Sequence, residues 1–173
     1  MSDALGDLQR ELGAILAGLA EAAIQRHPAV RPEACNIQQM AEHLLRTYDT
    51  TLNLFEERLL KGRCTKSVPT LQQHLGRMLI TRIGYFPHGR IAPELTCPPV
   101  MLKPESGDQT FSRIAARLQA LKTIFQEAEN AWGQKRCVSH FLLGPMSVEE
   151  WGRFHRTHGR HHLKQMAAIR REI

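Results

Sequence analysis

Apolar residues recur at spacings of three and four along most of this chain, and that repeat restricts the fold to amphipathic helices packed on one another. The first segment with this pattern has apolar residues at Leu5, Leu8, Leu12, Ile15 and Leu19. The pattern returns in four later segments, at residues 37–59, 71–79, 111–128 and from 151 to the end. No run shows the period-two alternation of a β-strand. We therefore predict an all-α, antiparallel helical bundle, formed by one domain over residues 1–173.

Capping residues predict where several of these helices begin. Asn36 with Gln39 matches the capping box, in which two residues three apart bond each other's backbone N–H groups. Ser147 with Glu150 forms the clearest box in the chain. We expect the fourth helix to start at Asp108 or Ser112.

Glycine and proline predict the helix ends and one long connection. Gly62 and Gly133 are expected to close the second and fourth helices, and Pro69 to precede a short third helix. After that helix come the punctuating residues Gly84, Pro87, Gly89, Pro93, Pro98, Pro99 and Pro104. We predict a long irregular connection here, which wraps the outside of the bundle and carries little functional information.

The cysteines and the N-terminus favour a cytoplasmic protein. None of the cysteines forms a C-x-x-C pair, so we expect reduced thiols at Cys35, Cys64, Cys97 and Cys137. Acidic residues precede the apolar stretch at residues 14–24, whereas a signal peptide begins with positive charge. No segment approaches the roughly 18 uninterrupted apolar residues that suggest a membrane-spanning helix. We therefore expect no membrane partner.

The last predicted helix contains a cluster of histidines that lies on one face. At about 100° per residue, His155, His158 and His162 fall on the side of Trp151. The opposite side carries the cations Arg153, Arg156, Arg160 and Lys164. Composition alone would suit a solvated basic face or a nucleic-acid contact surface. The separation on the helical wheel instead predicts that the imidazoles point into the bundle.

Imidazoles inside a bundle need hydrogen-bond partners or a metal ion, because an unsatisfied group costs about 1–3 kcal/mol. His158 and His162 are four residues apart, so their side chains can converge on one ion. His158 is also within helical reach of His155 and His161, which leaves its partner open at this point. His43 lies at the edge of the apolar stripe of the second helix and can face inward, although a hydrogen-bonded histidine at the core edge is the alternative there.

Three motifs resemble one known family. They are Asn36-Ile37-Gln38-Gln39-Met40-Ala41-Glu42-His43-Leu44, His140-Phe141-Leu142-Leu143-Gly144, and Glu150-Trp151 followed by His158-Gly159-Arg160-His161-His162-Leu163-Lys164-Gln165. Together they resemble the DinB/YfiT-like superfamily over roughly residues 36 to 166, most closely an uncharacterised DUF-type subfamily. The last motif is fairly specific. The second-helix motif is weaker, because the family often has an aromatic residue near where this chain has Cys35 and Asn36.

The resemblance implies a four-helix bundle around a divalent metal ion. Carried over by position, it implies His43, His158 and His162 as the ligands. Zinc or nickel is the first candidate, and iron or manganese is also possible. The residues expected to flank the ligands or edge the pocket are His161, His155, Gln165 and His140.

The resemblance also implies a function without choosing one reaction. The chain would be a metal-dependent hydrolase, or a transferase that uses a low-molecular-weight thiol such as bacillithiol or mycothiol, acting on a small-molecule substrate. The alternative is a non-enzymatic interaction protein with a structural or vestigial metal site, for which the first apolar stripe offers a surface for homodimer formation. The net charge of +6 suits nucleic acid, but no binding motif accompanies it, so we expect no specific nucleic-acid partner.

Overall fold

A computed structural model of the protein describes residues 4–87 and 93–173. The α-helices within these ranges are α1 (Ala4–Leu16), α2 (Glu21–Ile24), α3 (Ile37–Leu60), α4 (Leu71–Met78), α5 (Gly107–Trp132) and α6 (Val148–Arg170). A π-helical turn at Leu79–Ile83 extends α4, and a 3-10 turn spans Glu94–Thr96. The strands are β1 (Val138–His140) and β2 (Gly144–Met146).

The protein is mainly α-helical, as predicted, and its long helices α1, α3, α5 and α6 share one hydrophobic core. Helices α3 and α6 run in opposite directions, since Phe55 near the end of α3 packs on Trp151 near the start of α6. The other end of this pair brings His43 of α3 to His158 of α6. Among the described residues, none of the helices is long and apolar enough to cross a bilayer.

The predicted capping boxes at the starts of α3 and α6 are confirmed. The Asn36 side chain accepts from the Gln39 N–H, and that of Ser147 accepts from the Glu150 N–H, each with the reciprocal bond present. The predicted start of α5 at Asp108 or Ser112 is wrong. Ser106 caps that helix through a box with Gln109, so α5 begins one residue before Asp108.

Helix α1 ends earlier than its apolar stripe. It stops at Leu16, and Gly18 then adopts a left-handed φ of 69° that a helix does not contain. Leu19, the last residue of the stripe, is still buried. Because this stripe is buried in the core of its own chain, it gives no support to a homodimer formed through it, and the dimer stays a prediction.

The apolar face of α4 is only partly buried. Its side chains were predicted to form a core stripe, but Leu71 and Leu75 are 75% and 57% exposed. Arg77, by contrast, is 1% exposed and donates to the carbonyls of Leu143 and Pro145. Its position is explained by Glu150 of α6, whose carboxylate lies 3.6 Å from Arg77 Nε. A buried cation thus fixes α4 against the hairpin and the start of α6.

The structure has a small β-hairpin before α6, so the prediction that the chain contains no strand is wrong. Val138 pairs with Met146 and His140 with Gly144 in an antiparallel register. Each strand has only three residues, which is too few for a period-two pattern to stand out in the sequence.

The prediction of reduced thiols is wrong for Cys64 and Cys137, which form a disulfide at the hairpin. Cys137, next to β1, is bonded to Cys64 in the loop after α3, 73 residues earlier. The loop reaches the hairpin through the Thr65 N–H, which donates to the Cys137 carbonyl. Cys35 and Cys97 are free thiols, as expected. Because disulfides persist mainly in oxidising compartments, the cysteines no longer support the cytoplasmic location, which stays a prediction.

The Pro/Gly-rich connection is irregular, as predicted, but its described part is tied to α3. Gln39 Nε2 donates to the Val100 carbonyl, and Gln38 Nε2 donates to the Lys103 carbonyl. Residues 88–92 of this connection, including Gly89, lie outside the described residues. The part from Pro93 onward therefore lies along the first turns of α3, next to His43.

We expect Gly107→Ala to destabilise the protein by about 2 kcal/mol, because it overpacks a close backbone contact. A Cβ at Gly107 would lie 1.9 Å from the Leu16 carbonyl oxygen at the end of α1. Urea unfolding followed by circular dichroism measures the effect. Gly152→Ala is the control, since a Cβ there meets no heavy atom within 4 Å and alanine favours a helix. A Gly107→Ala protein as stable as the parent would show that α1 does not end against α5.

Candidate metal centre

His43 is fixed in orientation by the connection that follows the π-helical turn. It lies two turns into α3, buried, and its Nδ1 is 2.8 Å from the carbonyl oxygen of Thr96. A carbonyl only accepts, so Nδ1 carries the hydrogen and donates it. The other nitrogen of the ring, Nε2, therefore presents a lone pair to the interior.

His162 is held in the same way from α6. Its Nδ1 lies 2.8 Å from Oε1 of Gln165, one turn further along the helix. The amide oxygen accepts from Nδ1, which leaves Nε2 of His162 as a second inward lone pair. Gln165, which we expected to flank the ligands, thus contacts the ring of His162.

The third ring, that of His158, brings these nitrogens together. Its Nε2 lies 3.1 Å from Nε2 of His43 and 3.0 Å from Nε2 of His162. The candidate ligand atoms of the three residues all lie within 4.8 Å of one another. A tetrahedral ion at about 2.0–2.1 Å from each nitrogen would separate them by roughly 3.3 Å, close to the distances found.

The donor set fits a cation better than a network of hydrogen bonds. His43 and His162 both direct lone pairs at His158, whose single Nε2 can donate to only one of them. At least one close nitrogen pair is then left without a hydrogen between its atoms. A divalent ion at the common point removes this repulsion by accepting all three lone pairs.

The protein holds these three imidazoles neutral. Burial lowers the pKa of His43, although its hydrogen bond to the Thr96 carbonyl acts in the opposite direction. Burial, and next to it the neighbouring rings, lower the pKa of His158 well below its usual value. Burial and the adjacent His43 lower the pKa of His162 to about 3. Neutral imidazole is the form that binds metal ions, so no proton has to be displaced at neutral pH.

The remaining histidines predicted near the site lie around it in different ways. His161 has its ring 5.2 Å from that of His162, centroid to centroid, but is outside the three-histidine group. His155 is fully buried in the aromatic core, one turn before His158. His140 sits on the hairpin, where its Nδ1 accepts from the Leu142 N–H and its ring packs on Trp151.

Two neighbours of the site were missed from the sequence, and both lie in the irregular connection. Thr96 supplies the carbonyl that orients His43. Phe86 packs its ring 4.9 Å from His158 and 5.1 Å from His161, centroid to centroid. Neither lies in a periodic segment, so only the density of proline and glycine marked this stretch, and that signal does not distinguish a wrapping loop from a pocket wall.

The face of α6 opposite the imidazoles is partly neutralised by α1. Arg160 forms an ion pair with Glu11, and the guanidinium of Arg156 lies 3.8 Å from the carboxylate of Asp7. Arg153 pairs with Glu149 on its own helix. These contacts occupy cations that a nucleic-acid surface would present to phosphates, and the absence of a specific nucleic-acid partner stays a prediction.

Comparison with known proteins gives no match to this chain among protein-family models, curated proteins or solved structures. The resemblance to the DinB/YfiT-like superfamily therefore stays a prediction that rests on its motif residues.

Proposed function

We propose that this chain is a metal-binding four-helix bundle of DinB/YfiT type, in which His43, His158 and His162 hold one divalent ion. Zinc and nickel are the first candidates for this ion. The observation that carries the proposal is the convergence of three Nε2 atoms from two antiparallel helices. Two of the three rings already donate their Nδ1 hydrogens to oxygen acceptors, as metal-ligating histidines commonly do.

The proposed reaction class is hydrolysis or the transfer of a low-molecular-weight thiol to a small-molecule substrate. An ion held by three neutral imidazoles keeps open positions, at which it lowers the pKa of a bound water or polarises a bound thiol. The chain's own residues orient the ligands and exclude water. Thr96 and Gln165 fix the ligand rings, and Phe86 covers one side of His158 and keeps water from it.

The first test is the metal content of protein purified without a histidine tag. We expect about one ion per chain, because there is one set of three converging imidazoles. Elemental analysis after reconstitution with zinc, nickel or manganese and removal of excess metal gives the number. A chain that stays free of all three metals would refute the metal site and the enzymatic function with it.

The second candidate function is a non-enzymatic interaction protein in which the ion is structural. The observation that favours it is the exposed apolar surface of α4 and the hairpin tip, where Leu71 and Phe141 are 75% and 63% exposed. Titration of the Co²⁺-loaded protein with a small thiol separates the two functions. A new thiolate-to-cobalt absorption band indicates an open position, whereas an unchanged spectrum favours the structural ion.

A further inference from the structure

The ring of His158 differs from the two other candidate ligands in its second nitrogen. His43 Nδ1 donates to Thr96 and His162 Nδ1 donates to Gln165, but His158 Nδ1 is buried without a hydrogen-bond partner among the described residues. A buried polar atom without a partner costs about 1–3 kcal/mol. When Nε2 binds an ion, Nδ1 carries the hydrogen, so this position requires an acceptor.

Two more buried side chains have polar atoms without a described partner, and they pack on each other one turn of α6 before His158. The Tyr48 hydroxyl and both ring nitrogens of His155 have no hydrogen-bond partner within the part of the chain that the structure describes. Both side chains have 0% exposure. Their rings are 5.4 Å apart, centroid to centroid. His155 precedes His158 by three residues, which places the two imidazoles side by side on α6.

The surroundings of these groups are aromatic and supply no alternative partner of their own. Phe125, Trp151 and Phe154 pack their rings within 6.2 Å of the ring of His155, centroid to centroid. Burial lowers the pKa of His155 to about 3, so the ring is neutral and has one N–H and one lone pair. A group of three unpartnered polar side chains in an apolar core is the setting in which proteins hold an internal water molecule.

We infer that Tyr48 and His155 are positioning residues for His158, joined to its Nδ1 by one buried water molecule. With an ion on His158 Nε2, the water accepts hydrogen bonds from His158 Nδ1–H and from the Tyr48 hydroxyl, and it donates one to the lone pair of His155. Without an ion, when Nε2 keeps the hydrogen, the water donates to His158 Nδ1 instead. This network gives the third ligand ring the same support that Thr96 and Gln165 give to the first and second. The inference rests on the proposed metal site and adds the residues that orient its central ligand.

Tyr48→Phe is the sharpest test, because it removes one hydroxyl and leaves the ring in place. We expect the affinity for Zn²⁺ to fall about 10-fold, as is typical when a partner of a ligand histidine is lost. In metal-free protein we expect Tm to fall by about 2–4 °C. We also expect the His158 Nδ1 signal to shift in ¹⁵N NMR of histidine-labelled protein. Thr123→Val removes an exposed hydroxyl on α5, which bonds the Gln119 carbonyl one turn earlier, and it should change none of the three measurements.

His155→Phe provides the second variant, since it keeps an aromatic ring against Trp151 and Phe154 and removes both nitrogens. We expect the same loss of Zn²⁺ affinity and the same displaced His158 signal. The inference is overturned if Tyr48→Phe keeps full affinity and raises Tm, as removal of an isolated buried hydroxyl would. If the parent protein fails to bind Zn²⁺, the proposed function fails, while Tm and the NMR signal of metal-free protein still decide whether the network exists.

Discussion

His43→Ala, His158→Ala and His162→Ala should each lower the affinity for Zn²⁺ by more than about 100-fold, because each removes one of three ligands rather than a supporting contact. The ligand atoms of the three residues lie within 4.8 Å of one another, so one ion would use all three rings and no pair of them completes the site alone. Isothermal titration of each variant, after circular dichroism has shown it to be folded, measures the loss.

Variants of the flanking residues provide the matched controls for this experiment. Gln165→Ala removes the acceptor of His162 Nδ1 and should cost about 10-fold in affinity. His161→Ala removes a ring that contacts His162 without joining the ligand group, so we expect a smaller loss. If His162→Ala keeps full affinity and His161→Ala loses it, then His161 and not His162 faces the ion. The rotation of α6 about its own axis would then differ from the one that the structure gives.

The histidine group was predictable because capping residues in the sequence mark where both of its helices begin. The capping boxes at Asn36 and Ser147 set where α3 and α6 begin. From those starts the helical period places His158 and His162 toward the interior, and His43 at the edge of its apolar stripe, where it can face inward. Their convergence required one further assumption, that α3 and α6 are neighbours, and this came from the family resemblance rather than from any local pattern.

The features that the sequence did not predict depend on contacts between distant segments. Nothing local distinguishes Cys64 and Cys137 from the two free cysteines, because their pairing follows from the loop lying beside β1. Thr96 matters through its backbone carbonyl, which every residue possesses. The stripe of α4 has the period of a core helix, yet its core-facing residue is Arg77, because the facing partner is Glu150.

Between pH 7 and pH 5 we expect the metal-free protein to lose much of its stability through its buried histidines, two of which, His155 and His140, lie outside the ligand set. Burial lowers the pKa of His155 to about 3 and that of His140 to about 4. In the unfolded chain both titrate near pH 6.5, so below that pH the unfolded state binds more protons and the free energy of unfolding falls as pH falls. At pH 5 each residue accounts for about 2 kcal/mol and the two together for about 4 kcal/mol.

Urea unfolding with a chelator present, at pH 7 and pH 5, measures this loss. Carboxylates with lowered pKa values, such as that of Glu150, give stability that is lost only below their usual range, so this pH interval reports mainly on the histidines. His155→Phe should lose about 2 kcal/mol less than the parent protein over the interval, since it has one fewer buried imidazole to protonate. Phe125→Leu is the control, because it disturbs the packing on His155 and leaves the imidazole in place. We expect it to be less stable at both pH values and to show the full acid loss. An equal acid loss in His155→Phe and the parent would mean that His155 is protonated in the folded protein, which is incompatible with its burial among Trp151 and Phe154.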